Sequence, residues 1–248
     1  MGPVLLLHGF LGSGEDFAPL RALLRPGRET EAPDWPGHGT LGALREPREY
    51  GLEAHLRPVA EWAARQAGPA TLLGYSMGGR LLQHALLALP PLPADWRVVL
   101  VSASPGIADA AEAADRRAGD AAAARLLRDR GVAPFLRYWH SQTMFRPLLA
   151  LPPARLGPIL ARRAGADAEG LALSLEHVGP GSLPPTARLA PTLRCRLDIV
   201  AGELDGRYVG HARAMAEAAP GARLHLVAGA GHAIHLERPD ALAAILGD

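Results

Sequence analysis

Hydrophobic positions along this chain follow two alternating patterns. Short apolar runs are typical of buried strands, whereas segments with an apolar residue at every third or fourth position are typical of helices with one apolar face. The short runs predict strands at 4–7, 30–32, 71–73, 98–101, 197–201 and 224–227. The periodic segments predict helices at 17–24, 52–66, 77–89, 209–219 and 241–246, the second bent at Pro58. This alternation favours an α/β fold with a mostly parallel sheet flanked by helices.

The alternation is interrupted once, between residues 105 and 193. This segment shows helical patterning without a convincing strand, and it lies between the end of one predicted strand and the start of another. Ligands of open α/β sheets bind at the carboxyl edge of the strands, where such a segment would lie. We therefore expect residues 1–104 and 194–248 to form one α/β core and residues 105–193 to form a helical lid.

The composition excludes several classes of protein. All 26 basic side chains are arginine, so the chain lacks the lysine that a P-loop, a Schiff-base enzyme or a protein kinase requires. The single cysteine, Cys195, excludes an internal disulfide framework and a cysteine-rich metal site. We expect neither a metal nor a cofactor.

Charge and apolar length indicate which partners to expect. A formal net charge of +1 without a basic run gives no long-range attraction for nucleic acid. No apolar stretch approaches the roughly 20 residues that span a bilayer, and the first residues lack the features of a secretory signal. We expect a cytoplasmic protein that binds neither nucleic acid nor a membrane. The sequence does not indicate which oligomeric state the protein has.

A Gly-x-Ser-x-Gly motif, from Gly74 to Gly78, stands between a predicted strand and a predicted helix. A serine on so sharp a turn is held in a strained conformation with its hydroxyl exposed, and the flanking small residues let the backbones pass closely. The context predicts that Ser76 is a nucleophile. The alternative is a structural serine in a turn.

The loop after the first strand, His8-Gly9-Phe10, is the kind that supplies one N–H group to an oxyanion hole. The backbone N–H groups of Phe10 and Met77 are the predicted donors, the second because it opens a helix, where free N–H groups and the helix dipole favour an anion. His8 and, in a later loop, His38 have a simpler interpretation as turn histidines that bond to nearby backbone.

Two later strands each end in a group that a nucleophilic serine needs. Asp205 follows the strand at 197–201 and His232 follows the strand at 224–227, so the chain order is serine, acid, histidine. Glu203 is the rival to Asp205, while Asp198 lies at the wrong edge of the sheet. His225 and His235 are expected to pack or to face solvent.

Arg80 lies four residues after Ser76, on the same face of the predicted helix. Long helical side chains lean toward the N-terminus, so its guanidinium can approach the nucleophile. A cation near the positive end of a helix is disfavoured by about 0.3 to 1 kcal/mol, which makes a purely structural arginine a poor choice there. Arg80 therefore suggests an anionic small-molecule substrate. The alternative is an arginine that reaches the surface or pairs with an acid of the lid.

Several motifs together resemble the α/β-hydrolase superfamily over nearly the whole chain. The more specific ones resemble the menaquinone-pathway family of synthases that eliminate pyruvate to form 2-succinyl-6-hydroxy-2,4-cyclohexadiene-1-carboxylate. The matching segments are HGFLGSGEDF (8–17), DWPGHG (34–39), GYSMGGR (74–80), SPGI (104–107), EAADRRAGD (112–120), WHSQTMF (139–145), GELDGRY (202–208) and GAGHAIHLERP (229–239).

The resemblance implies an α/β-hydrolase fold and a cofactor-independent lyase with a Ser76, Asp205 and His232 triad. It further implies three substrate-binding arginines, of which Arg80 matches cleanly and Arg116 and Arg162 fall at the family's positions in the lid. Tyr75 and Trp139 are implied to line the pocket. Planar arginines suit carboxylates, so this implication agrees with the charge argument.

The chain departs from the family in three places. It begins at the strand of the oxyanion loop, which implies a sheet shorter by about two strands at its N-terminal side. Gln142-Thr143 stands where the family has Gln-Pro, and residues 179–184 differ from the family's Gly-Thr-Gly-Arg-Gln-Pro. Two hypotheses with the same triad therefore stay open beside the lyase, a carboxylesterase and a carbon-carbon bond hydrolase. A non-catalytic binding module is the third class, and the intact triad argues against it.

Overall fold

The structure, a computed structural model, describes residues 2–42, 46–189 and 192–247. Its strands form one sheet in the order β2-β1-β3-β4-β5-β6, and all five pairings are parallel. The strands are β1 Val4–Leu7, β2 Thr30–Glu31, β3 Thr71–Tyr75, β4 Arg97–Val101, β5 Arg196–Gly202 and β6 Arg223–Val227. Each predicted strand is present, and the predicted α/β class is confirmed, with a sheet that is wholly parallel.

The central strands are almost entirely apolar because helices cover both faces of the sheet, the exceptions being Thr71 and Arg97 at the starts of β3 and β4. Every residue of β1, β3 and β4 is buried. Neighbouring residues point to opposite faces, so Leu5 and Leu7 pack in one core and Val4 and Leu6 in the other. A strand buried on both faces reads as a continuous apolar run rather than an alternating one, which is the pattern seen in the sequence.

Eleven helices are present among the described residues. They are α1 Ala18–Arg21, α2 Leu52–Ala64, α3 Met77–Ala88, α4 Ala110–Arg130, α5 Val132–His140, α6 Arg146–Leu149, α7 Pro153–Ala164, α8 Ala168–Val178, α9 Gly206–Ala218, α10 Ile234–Glu237 and α11 Pro239–Leu246. The helix predicted at 17–24 is shorter than expected, because a 3₁₀ turn at Gly14–Phe17 precedes α1. Pro58 lies inside α2, which continues through it.

Helices α4 to α8 lie in the segment between β4 and β5, and its described residues include no strand. A third, smaller core joins α4, α5 and α8 through residues such as Leu127, Phe135 and Leu171. Arg128 of α4 also donates to Glu169 at 2.8 Å and to Glu176 at 2.6 Å, so one guanidinium connects α4 to both ends of α8. We call helices α4 to α8 the helical insertion.

Two features are not found within ranges 2–42, 46–189 and 192–247. None of the helices there combines the length and the apolarity needed to cross a bilayer. No group of three or more His, Cys, Asp or Glu side chains in these ranges is arranged to hold a metal ion. Cys195 is buried and unpaired.

Candidate active site

Three side chains from the carboxyl ends of three strands meet in a hydrogen-bonded series. Ser76 follows β3, Asp205 follows β5 and His232 follows β6. The Nε2 atom of His232 lies 2.9 Å from the Oγ of Ser76, and its Nδ1 lies 2.7 Å from the Oδ2 of Asp205. This is the relation of nucleophile, base and orienting acid that a serine triad requires.

The turn that carries Ser76 depends on two close backbone approaches. Ser76 has a φ of 51°, in the left-handed region that is costly for a residue with a side chain. A Cβ at Gly74 would lie 2.5 Å from the Cα of Gly79, and one at Gly78 would lie 2.3 Å from the carbonyl oxygen of Leu7. Larger residues at these positions would push β3, α3 and β1 apart, so the glycines make the exposed serine possible.

Burial and Asp205 have opposite effects on His232, which is 1% exposed. Burial lowers the pKa of His232 below its usual value, whereas the hydrogen bond and the charge of Asp205 raise it. The net lowering leaves the imidazole neutral at neutral pH, with Nδ1–H directed at Asp205 and Nε2 able to accept a proton from Ser76. The ring also packs 4.4 Å from the Tyr208 ring, between centroids, which limits its rotation.

The rival residues lie elsewhere. Glu203 is exposed, and Asp198, at the other end of β5, is held by Arg97 and Arg196 and by His225, each at 2.7 Å. His225, on the neighbouring strand β6, therefore bonds to Asp198 and is not part of the site around Ser76. His235 is buried, and neither ring nitrogen has a hydrogen-bond partner among the described residues.

Glu237 holds the loop that carries His232, and sequence reasoning missed it. Its carboxylate is buried, and its two oxygens accept the backbone N–H groups of Gly231 and, at 3.0 Å, of Ala233. These are the residues on either side of His232. Burial raises the pKa of Glu237. The acid five residues after the histidine in GAGHAIHLERP was a signal that could have identified it.

Phe10 and Met77, the two residues predicted to supply backbone N–H donors, line the same pocket as Ser76. Met77 is the first residue of α3, Phe10 follows β1, and both line the pocket with Ser76. Neither N–H donates to another of the described residues. The structure thus brings both residues to the pocket of Ser76, and their role as oxyanion-hole donors stays a prediction.

His8 and His38 have the structural role that the simpler interpretation assigns. The Nδ1 of His8 donates to the carbonyl of Gly9 at 2.8 Å, and its Nε2 accepts the N–H of Trp35 at 3.1 Å. His38 bonds to the carbonyl of Pro36 at 3.1 Å. Burial lowers the pKa of both rings, so they stay neutral.

Arg80 reaches the pocket as predicted, although it is only 5% exposed. Its Nη1 donates to the carbonyl oxygen of Val178, the last residue of α8, at 2.6 Å. Burial lowers the pKa of Arg80 to about 10, which leaves the group cationic at neutral pH. Arg80 therefore does not reach the surface, and it pairs with no acid among the residues that the structure describes, so its charge is available to a ligand.

Arg116 of α4 lines the pocket as well, and its Nε donates to the buried carboxylate of Asp120 at 2.9 Å. Tyr75 and Trp139 are also in the lining, as the resemblance implied. Arg207, Tyr208 and His211 complete this side of the pocket from the first turns of α9. Sequence reasoning missed these three, although GELDGRY places Arg207 just two residues after Asp205.

Arg162 is not brought to the pocket, which corrects the expectation for this residue. It is absent from the pocket lining, its side chain is 39% exposed, and its Nη2 donates to Asp16 at 2.7 Å. The next residue, Arg163, bonds to His140 at 2.8 Å and also lies outside the lining. The physical reason is Asp16, a buried carboxylate that needs a cation and lies beside α7 rather than beside Ser76.

Comparison with known proteins assigns the family. A model described as "Alpha/beta hydrolase family" matches residues 4–245, almost the whole chain. The chain belongs to the α/β hydrolase family. Its wholly parallel sheet, helical flanks and strand-end site agree with that membership, so the predicted fold is confirmed.

Relatives with one recurring name match over nearly their full length. The chain is 27% identical over 246 residues to the "Putative 2-succinyl-6-hydroxy-2,4-cyclohexadiene-1-carboxylate synthase" of Bacillus subtilis, covering 99% of this chain and 89% of that protein. It is 29% identical to the synthase of that name from Serratia proteamaculans, covering 98% and 91%. These matches confirm the resemblance found in the motifs.

Solved structures agree with this placement. The structure of MenH from S. aureus superposes with a TM-score of 0.91 at 27% identity, covering 99% of this chain and 92% of that one. A thermophilic esterase from Thermogutta terrifontis has a TM-score of 0.82 at 21% identity, a likeness that shows the fold alone. This chain is thus an α/β-hydrolase-fold enzyme most similar, among these, to proteins named for the synthase.

Proposed function

We propose that this protein is a cofactor-independent lyase of menaquinone biosynthesis that eliminates pyruvate to form 2-succinyl-6-hydroxy-2,4-cyclohexadiene-1-carboxylate. The observation that carries the proposal is a strongly cationic pocket at a serine triad. Arg80, Arg116 and Arg207 line it, whereas Glu112 is the one carboxylate in the described lining. A pocket with this excess of positive charge suits a substrate with several carboxylates.

The chemistry of the proposed reaction matches that charge. The product named above bears two carboxylates, one on the succinyl group and one on the ring, and pyruvate carries a third. The substrate therefore bears three carboxylates. A pocket without cationic side chains would leave their negative charges without partners. Guanidinium groups bind carboxylates through two parallel hydrogen bonds and so fix orientation as well as charge.

The triad performs the elimination as a proton transfer. Ser76 Oγ takes a proton from the ring carbon while its own proton passes to Nε2 of His232, and Asp205 stabilises the resulting imidazolium. The electron pair of the broken C–H bond delocalises onto a conjugated oxygen and then forms the new ring double bond, as the C–O bond to the pyruvyl group breaks and its electron pair leaves on the oxygen. The N–H groups of Phe10 and Met77 stabilise the negative charge that develops on a conjugated carboxylate or enolate. The proton on His232 then converts the departing enolate into pyruvate, so no external oxidant is needed.

The helical insertion has the position of a lid in this scheme. Arg116 of α4, Trp139 of α5 and Val178 of α8 line the pocket together with core residues. A cover of this kind excludes water, which strengthens the interactions of the arginines with carboxylates. We propose that residues 105–193 are this lid and that residues 1–104 and 194–248 are the catalytic core.

Release of pyruvate from the pathway intermediate tests the proposal directly. A lactate-dehydrogenase-coupled assay is expected to detect pyruvate far above the buffer rate with wild type, and near the buffer rate with Ser76→Ala. Ser141→Ala is the matched control, because Ser141 is exposed and its hydroxyl, within the described part of the chain, bonds only to the carbonyl of Tyr138. It is expected to retain wild-type activity.

The alternative is a carboxylesterase or carbon-carbon bond hydrolase with the same triad. That function requires a covalent acyl-enzyme on Ser76, whereas the lyase does not. It predicts rapid turnover of p-nitrophenyl esters with an initial burst, little change on Arg80→Ala, and no pyruvate from the intermediate. Such a result would replace the lyase.

A further inference from the structure

The pocket lining includes an arginine, Arg207, to which the sequence analysis assigned no role. Arg207 is the second residue of α9 and lines the pocket. It belongs to the α/β core, whereas Arg116 belongs to the helical insertion. Arg207 lies two residues from Asp205, whose carboxylate orients His232. Its backbone position is therefore determined by the same strand end that places the triad.

The three pocket arginines, Arg80, Arg116 and Arg207, differ in what already satisfies them. Arg80 donates to the carbonyl of Val178, and Arg116 donates to Asp120. Arg207 forms neither a hydrogen bond nor an ion pair through its side chain with any residue in 2–42, 46–189 or 192–247. It is thus the pocket arginine with the most unused donors.

Arg80, Arg116 and Arg207 line one pocket together with Tyr208 and His232. The Tyr208 ring packs 4.4 Å from the His232 ring, between centroids, so this part of the pocket adjoins the triad. Burial raises the pKa of Tyr208, and the charges of Arg116, Arg80 and Arg207 each oppose that rise. Three cations, from α3, α4 and α9, therefore line the same pocket.

We propose that Arg207 is the third carboxylate-binding residue of the pocket, in the role that the resemblance implied for Arg162. The inference rests on the proposed function, because it assigns one cation to each carboxylate of the proposed substrate. Arg162 is committed to Asp16 outside the lining, whereas Arg207 lies in the lining with free donors. Arg207 is thereby a specificity-determining residue, and it contacts the substrate rather than the reacting bond.

Kinetics with matched variants test this role. Arg207→Gln is expected to raise KM for the polycarboxylate intermediate about 10-fold, the effect of losing one charged hydrogen-bonded contact, with kcat changed less than about twofold. The slow, burst-free turnover of the uncharged ester p-nitrophenyl acetate that an activated serine supports is expected to keep its KM. Arg207→Lys keeps the charge but lacks the planar guanidinium, so its KM for the intermediate is expected to lie between those of wild type and Arg207→Gln.

Arg213→Gln is the control, since Arg213 is exposed on the same helix but lies outside the pocket lining. It is expected to leave both KM values unchanged. Both arginines are exposed, so a thermal melt of each variant is expected to match wild type. The proposal is overturned if Arg207→Gln leaves KM for the intermediate unchanged, if it raises both KM values equally, or if Arg162→Gln raises KM for the intermediate and Arg207→Gln does not.

Failure of the proposed function is distinguishable from failure of this inference. If wild type releases no pyruvate, the lyase is wrong, and Arg207 is then judged by calorimetric titration with propane-1,2,3-tricarboxylate. Weaker binding to Arg207→Gln than to wild type and Arg213→Gln supports the inference. Equal binding to all three proteins, or none to any, overturns it.

Discussion

The reacting end of the pocket and the pocket arginines are held in different ways. Ser76, Asp205 and His232 lie at the ends of parallel strands and satisfy one another through short hydrogen bonds. The pocket arginines lie on helices, one of them in the insertion, and their exposure increases from Arg80 through Arg116 to Arg207. In the proposed function, the chemistry therefore depends on the strand ends of the core, while recognition depends on helices that can change without loss of the triad. Substitutions at the two ends should therefore separate kcat from KM.

The largest expected effect is at the reacting end. Asp205→Asn would present an amide to His232 Nδ1 and favour the wrong tautomer, so kcat should fall by about 10⁴-fold with little change in KM. Steady-state pyruvate release measures both constants. Glu203→Gln is the control, because this exposed acid lies two residues away and should be silent. Equal losses in the two variants would contradict the assignment of Asp205.

The next effect is at the buried pocket arginine. Arg80→Met should lower kcat/KM for the polycarboxylate intermediate about 100-fold, because a desolvated, charged contact is lost. It should affect p-nitrophenyl acetate only slightly. The carbonyl of Val178 also loses its donor, so a lower melting temperature is expected in parallel. Loss of both activities in a variant that still melts like wild type would show that Arg80 serves the reaction rather than recognition.

A smaller effect is expected from Glu237, which holds the His232 loop. Glu237→Gln keeps the shape but replaces one acceptor oxygen with an NH₂ group, which leaves the N–H of Gly231 or Ala233 without a partner. Displacement of the loop should lower kcat about 10-fold, with KM unchanged. The exposed Glu217→Gln is the matched control. A rise in KM at constant kcat would place Glu237 with the recognition residues instead.

The smallest effect is a displaced pH profile. His232 must be neutral to accept the serine proton, and its pKa is lowered from 6.5 by burial. Activity should therefore be retained as pH falls to 6.5 and be lost only below it, with the midpoint of kcat/KM on the acid side of that value. KM should vary little between pH 6 and 8 because the arginines stay charged. A midpoint above 6.5 would mean that Asp205 outweighs burial.

Local sequence motifs predicted most of the fold and all three residues of the triad. The strand, Gly-x-Ser-x-Gly turn and helix around Ser76 are one continuous stretch, and the positions of Asp205 and His232 follow from parallel strands ending at one edge. The structure brings these residues together, and their catalytic roles stay predictions until the variants are measured. Glu237 was missed because its partners are backbone N–H groups, so its spacing from His232 in GAGHAIHLERP was the only sign of its role in the sequence.

The arginines show where sequence reasoning ends. The sequence by itself determined the α/β alternation, the strained serine turn and the order of acid and histidine, because each depends on neighbours along the chain or on strand direction. It could not decide which arginines reach the ligand, since a guanidinium several bonds from its Cα goes wherever packing brings a buried counter-charge or an open cavity. Only the tertiary structure placed Asp16 beside Arg162 and the pocket beside Arg207.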